Sequence, residues 1–192
     1  MSLHTVHIDR WAFFNILISV TEVFKQESMG HLFGFTPTLK KNYFRVVNTF
    51  PFQHLKKRGF TGAIQSQKSN RLLTEMFSEF QGIQIQSIGG FHSHTQCGSS
   101  VVPRILSNAD IQAMSDGGYS LEIITTLADA KKNESKWFYT RKGSVIGYHG
   151  GIRYVMDAFM LTGEKSLRRN IRRLRIHAPS AMRSLRRLHK KQ

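Results

Sequence analysis

The chain is poor in the residues that staple small folds. Its 192 residues include one cysteine, Cys97. That count excludes an internal disulfide framework and a structural zinc site of the Cys₄ or Cys₂His₂ type. Long apolar runs are missing as well. The most apolar stretch, WAFFNILISVTEVF, is interrupted by Asn15, Ser19, Thr21 and Glu22, so no segment reaches the roughly 18 uninterrupted apolar residues of a membrane-spanning helix. The opening MSLHTVHIDR has no basic start ahead of an apolar core and no small-residue cleavage site. These absences lead to the expectation of a soluble, intracellular protein. Negative charge is scarce too: 12 acidic residues face 28 Lys and Arg, for a net charge of +16. From Lys165 to Gln192 there are eleven basic residues and no acid, which leaves 17 basic and 12 acidic residues in the first 164, a net of +5. The asymmetry predicts a folded domain over residues 1–160 followed by a basic extension over 161–192.

What is present is ample core material: hydrophobic residues make up 40% of the chain and 14 are Phe. LHTVHI alternates as a short strand. Asp9 can cap a helix to about Lys25, with Trp11, Phe14, Leu17, Ile18, Thr21 and Phe24 at helical spacing toward a core. ESMGHLFGF and NYFRVVNTF read as strands. Ser66 can cap a helix to about Phe80, with Leu72, Leu73, Met76, Phe77 and Phe80 inward. IQIQSIGGF and YSLEIITTL are further strands, Ser107 opens a short helix, and KWFYTRKGSVIGYH is a hairpin turning at Lys142-Gly143. This order predicts an α+β fold, a mixed sheet sandwiched by helices. In the tail, Leu167, Ile171 and Leu174, then Ala181, Leu185 and Leu188, suggest two amphipathic basic helices separated by Pro179.

Chemistry concentrates in GGFHSHTQCGSSVVPRILSNAD, residues 89–110. Residues i and i+2 of a strand share a face, so His92 and His94 project side by side, suited to one metal ion. A catalytic zinc site takes three protein ligands and leaves a position for water. Asp110, at the third position of a helix capped by Ser107, can reach back as the third ligand. The same residues also fit a plainer reading, a polar loop with a capping box.

QESMGHLFG (26–34), GGFHSHT and SNAD together resemble the JAMM (MPN+) metalloprotease family. Its pattern is a Glu before an apolar Gly-containing strand, then His-Ser/Thr-His, then Ser-x-x-Asp. The likeness covers about residues 3–150. Thr95 stands where the family usually has proline, and the interval from His94 to Ser107 is longer than usual. The resemblance implies an MPN (cytidine-deaminase-like) fold and zinc-dependent hydrolysis of a peptide or isopeptide bond, as in deubiquitinases that act on ubiquitin-like conjugates. It implies one Zn²⁺ on His92, His94 and Asp110, Glu27 as general base, and Ser107 as donor to the tetrahedral oxyanion.

Other residues have plainer expectations. Ser93 points to the opposite strand face and is structural. Cys97 is a passive thiol or an inhibitory metal ligand. His31 is a half-buried histidine or faces the cleft, and His149 has no role. PFQHLKKRGFTGAIQ or the loop after His94 could receive an extended substrate tail, and one of them is expected to be mobile without substrate. The basic tail fits a solvated extension, nucleic-acid phosphates, or an acidic protein or anionic membrane surface; it holds no aromatic residue for a base-stacking platform. Against an active hydrolase stand a non-catalytic MPN-type scaffold and a nucleic-acid-associated relative in which the tail is the main device.

Overall fold

The structure, a computed structural model, describes residues 4–52, 55–58, 63–65, 71–72, 75–76, 85–96, 103–130, 136–162 and 171–189. The elements in chain order are β1 (Thr5–Ile8), α1 (Arg10–Glu22), β2 (Met29–Phe35), β3 (Tyr43–Pro51), β4 (Leu55–Arg58), β5 (Ala63–Gln65), β6 (Gln86–Thr95), α2 (Asn108–Asp116), β7 (Leu121–Asp129), β8 (Lys136–Tyr139), β9 (Val145–His149), β10 (Ile152–Leu161), β11 (Ile171–His177) and α3 (Pro179–His189).

The main sheet runs β11-β1-β3-β2-β6-β7-β10-β9-β8, and β10 also pairs with β11. The wall therefore closes into a seven-stranded barrel, with β9 and β8 continuing from β10 as two further strands. β4 and β5 form a separate ribbon. Closure depends on β10, whose free edge serves two partners. Ile152–Met156 pair with β9, and Ala158–Leu161 pair with β11. Asp157 sits at the fork.

Among the described residues, a mostly β barrel with the short helices α1, α2 and α3 replaces the expected helix-sandwiched α+β sheet and its MPN-like form. The decisive segment is IRRLRIH. Its apolar residues fit helical spacing with Leu167, and they equally fit a strand that turns Leu174 and Ile176 inward. It is β11, and β1 lies parallel to it while β10 lies antiparallel. Two open strand edges, each with unpaired N–H and C=O groups, gain a full ladder from it. The basic residues from 171 onward thus supply a barrel stave and a docked helix, α3, instead of two tail helices.

Several local expectations hold. The strands at Thr5–Ile8, Met29–Phe35, Tyr43–Pro51, Gln86–Thr95 and Leu121–Asp129 form, as does the β8–β9 hairpin. Its turn uses Gly143 at φ 89, a left-handed conformation that favours glycine. The face of α1 differs from expectation. Ala12, Phe13, Ile16, Leu17, Ser19 and Val20 are buried, whereas Trp11 and Ile18 are 66% and 62% exposed. The helix is apolar on nearly every side, so periodicity alone does not select its inner face; packing against β3 and α3 does. Of the helix expected over 66–80, only Arg71, Leu72, Glu75 and Met76 are described. They are helical, and Leu72 and Met76 are exposed rather than inward.

Alternation along β6, β7 and β10 separates two cores. Phe91, Ile123, Met156 and Ala158 join α1 and α3 in the larger cluster. Ile124 and Phe159, on the other face, pack with Leu106, Ile111 and Met114 under α2. Among the described residues no helix is long and apolar enough to cross a membrane.

Candidate metal centre

His92, Ser93 and His94 lie near the end of β6, between β2 and β7. Parallel pairing sets Phe91 beside Ile123 and Ser93 beside Thr125, all on the inner face. The two imidazoles are thereby driven to the outer face, the one covered by α2. Ser93 is fully buried, and its hydroxyl oxygen accepts from the Ser28 N–H at 2.8 Å. The Ser93 N–H in turn donates to Ser28 O at 2.8 Å. This pair of hydrogen bonds fixes the segment entering β2. Met29 pairs with His92, so continuing the antiparallel register by two residues sets Glu27 opposite His94, on the imidazole face.

The second half of the site comes from the chain preceding α2. Ser107 and Asp110 form a capping box: the Asp110 N–H donates to Ser107 Oγ at 3.1 Å, and the Ser107 N–H donates to Asp110 Oδ2 at 2.7 Å. One carboxylate oxygen is thus held by the backbone. The other, Oδ1, lies 3.6 Å from His92 Nε2.

The two ring orientations are set from behind. His92 Nδ1–H donates to Glu122 Oε1 at 2.7 Å. His94 Nδ1–H donates to the Pro103 carbonyl at 2.9 Å, and a carbonyl can only accept. Both Nε2 atoms then face one another at 3.1 Å. Two lone pairs at that distance repel unless a proton or a cation lies between them. Burial works against the charged form of His92, but its hydrogen bond to Glu122 and the charges of Glu122, Asp110 and Glu27 outweigh it and raise its pKa. Burial and the nearby His92 charge lower that of His94.

A metal can take that proton's place. The ligand atoms of His92, His94 and Asp110 all lie within 4.8 Å of one another. Metal–nitrogen bonds of ~2.0–2.1 Å in a tetrahedron separate neighbouring ligand atoms by about 3.3 Å, and the observed 3.1 and 3.6 Å bracket that edge. A His-His-Asp group of this geometry can hold a metal ion, with each imidazole oriented by a hydrogen bond on its far nitrogen.

Glu27 is partly buried beside this cluster, and its carboxyl is pushed up to about 7, by burial above all and further by Asp110, against the opposing effect of His92. Ser107 is exposed; its oxygen accepts from Asp110 N, which leaves its proton free to donate. The structure thus brings His92, His94 and Asp110 together, with Ser107 on the Asp110 turn and Glu27 electrostatically coupled to His92. His31 is half-buried against Phe52, ring centroids 4.8 Å apart at 82°. His149 lies apart from the site, in an apolar groove of about 430 Å³ with Phe14 and Trp137. Cys97, most of the loop after His94 and parts of 51–65 lie outside the described residues.

Two contributors went unread in the sequence, Glu122 and Pro103. Glu122 had a signal: it is the lone acid in SLEIITTL and is 4% exposed. An acid buried in an apolar strand needs a partner, and Gly90 opposite leaves room for its carboxylate. Pro103 contributes a main-chain carbonyl, which no residue type announces. No protein-family model matches the chain, and no curated protein matches it.

Proposed function

We propose that the chain is a zinc-dependent hydrolase that cleaves a peptide or isopeptide bond on a β-barrel scaffold; the likeness of its Glu, His-Ser-His and Ser-x-x-Asp segments to those of JAMM enzymes makes a conjugate of ubiquitin or a ubiquitin-like protein the substrate class to test. The observation that carries this reading is the pair of Nε2 atoms 3.1 Å apart, each with its Nδ1 tied to an acceptor and with a carboxylate oxygen of Asp110 at 3.6 Å. Neutral imidazoles with one carboxylate suit zinc among the common divalent metals. Three protein ligands would leave a fourth position open, the arrangement of catalytic rather than structural zinc.

When bound, the cation supplies Lewis acidity and lowers the pKa of water toward ~7. The chain's own groups do the rest. Glu27, partly buried and electrostatically coupled to His92, takes a proton from the attacking water and returns it to the leaving amine. The free hydroxyl proton of Ser107 donates to the oxygen of the tetrahedral intermediate, where one such donor is worth about 3 kcal/mol. Glu122 and the Pro103 carbonyl keep the two rings in register throughout.

The test is metal content and cleavage measured together. The purified chain should take up one equivalent of zinc and cleave a fluorogenic ubiquitin amide or a member of an isopeptide-linked conjugate panel. Glu27→Gln should keep the zinc and lose cleavage, while His92→Ala should lose both. Cleavage by Glu27→Gln at the wild-type rate would overturn the assignment.

A further inference from the structure

On the outer face of the wall made by β11, β1 and β3, three rings stand in a row. β1 runs parallel to both neighbours, and the registers set His7 beside His177 on one side and beside Arg45 on the other. Tyr43 lies two residues before Arg45, on the same face. The His177 and His7 centroids are 4.7 Å apart, and those of His7 and Tyr43 are 4.2 Å apart, with tilts of 36° and 30°. The intervening residues Val6, Phe44, Val46, Leu174 and Ile176 are buried in the core. Strand alternation therefore leaves the rings no other side to occupy.

The same alternation turns cations outward. Arg175 pairs with Thr5, next to the ring row, and Arg45 pairs with His7. Asp9 binds Arg45 at 2.9 Å and offsets part of its charge. At the His177 end, the β8–β9 turn seats its backbone on β11: Gly143 O accepts from the Ile176 N–H at 2.8 Å, and a Cβ at Gly143 would lie 2.8 Å from Arg175 Cα. This brings the exposed Arg141 and Lys142 to that end. Lys40 and Lys41, also exposed, precede Tyr43 at the other.

We propose that this ring row and its flanking arginines form a binding site for single-stranded nucleic acid. Bases extend the stack at its ends, and phosphates lie on Arg175, Arg45 and the lysines beyond. Every base offers a π-face, so such stacking tolerates any sequence. An acidic protein surface or an anionic membrane would use the cations and leave the rings without partners. Burial first, then the charges of His177 and Arg45, lower the pKa of His7 against the effect of Asp9, which favours the neutral ring that stacking uses. The site uses none of the residues of the metal centre and stands or falls without it.

The experiment titrates the full chain into a fluorescein-labelled oligouridylate and its oligothymidylate counterpart, each of about 15 nucleotides, and follows anisotropy at several salt concentrations. The expected result is saturable binding that weakens steeply between about 50 and 200 mM salt. Tyr43→Ala should weaken it roughly tenfold, while Tyr43→Phe should retain it. Arg175→Gln should lower the salt slope by about one. Preference for the ribo- or the deoxy-oligomer identifies the source, and either outcome supports the site. Equal displacement by heparin at matched charge, binding only to phosphatidylserine vesicles, or full affinity in a folded Tyr43→Ala variant, checked by circular dichroism, would each overturn it.

Discussion

His92 and Glu122 form a buried pair across the β6–β7 ladder, with Nδ1 and Oε1 2.7 Å apart and side-chain exposures of 9% and 6%. The carboxylate aims His92 Nε2 at the metal position. Glu122→Ala should therefore lower zinc affinity by ~10–100-fold, the usual cost of losing such a partner. Gly90→Ala should act in the same direction through sterics, because its Cβ would lie 2.6 Å from Glu122 Oε2. Competition against a chromogenic chelator measures both.

Ser93 reaches the site from the opposite face. Ser93→Ala removes the acceptor of the Ser28 N–H, leaving a buried donor unpaired at a cost of about 1–3 kcal/mol. It also loosens the segment that carries Glu27. The expected signature is a drop in kcat with zinc affinity unchanged. Equal losses in metal affinity and turnover would show that Ser93 supports the ligands instead.

Glu27 makes the metal-free protein sensitive to pH in a known sense. Its carboxyl rises from an ordinary 4.5 to about 7 on folding, chiefly through burial. A group raised in this way favours the fold below its unfolded pKa and loses that contribution as pH climbs through the folded value. Between pH 4.5 and about 7 the wild type should therefore lose stability relative to Glu27→Gln. Urea melts with a chelator at about pH 5 and about pH 8 should show the variant gaining more at the higher pH. An equal difference at both values would refute the account.

Asp157 occupies the fork where β10 passes from β9 to β11. It is 1% exposed and binds Arg104 at 3.1 Å as well as Arg173; Ser144 Oγ accepts from both arginines. Asp157→Ala leaves two guanidinium groups facing each other and should cost about 3–5 kcal/mol in chemical denaturation. Arg104 follows Pro103, whose carbonyl orients His94. Arg104→Gln should therefore weaken zinc binding more than it weakens the fold.

The sequence by itself determined the short-range features. His92 and His94 share a face because a strand alternates with a period of two. Ser107 and Asp110 cap a helix because a hydroxyl and a carboxylate three residues apart can satisfy each other's backbone N–H. The β8–β9 turn follows from a glycine able to take positive φ. Each depends on groups within a few residues of one another, so composition and spacing are enough to read them.

Only the tertiary structure decided which edges met. IRRLRIH carries apolar residues compatible with two periods, and the open edges of β1 and β10 selected the strand. WAFFNILISV is apolar on almost every side, and the barrel selected Phe13 over Trp11 as the inward ring. Neither Glu122 behind His92 nor Tyr43 beside the basic strand is near its partner in the chain. Their meeting is set by ladder registers between distant strands, and those registers are fixed by burial of the whole inner face at once. That is a cooperative property of the folded chain, which no local window contains.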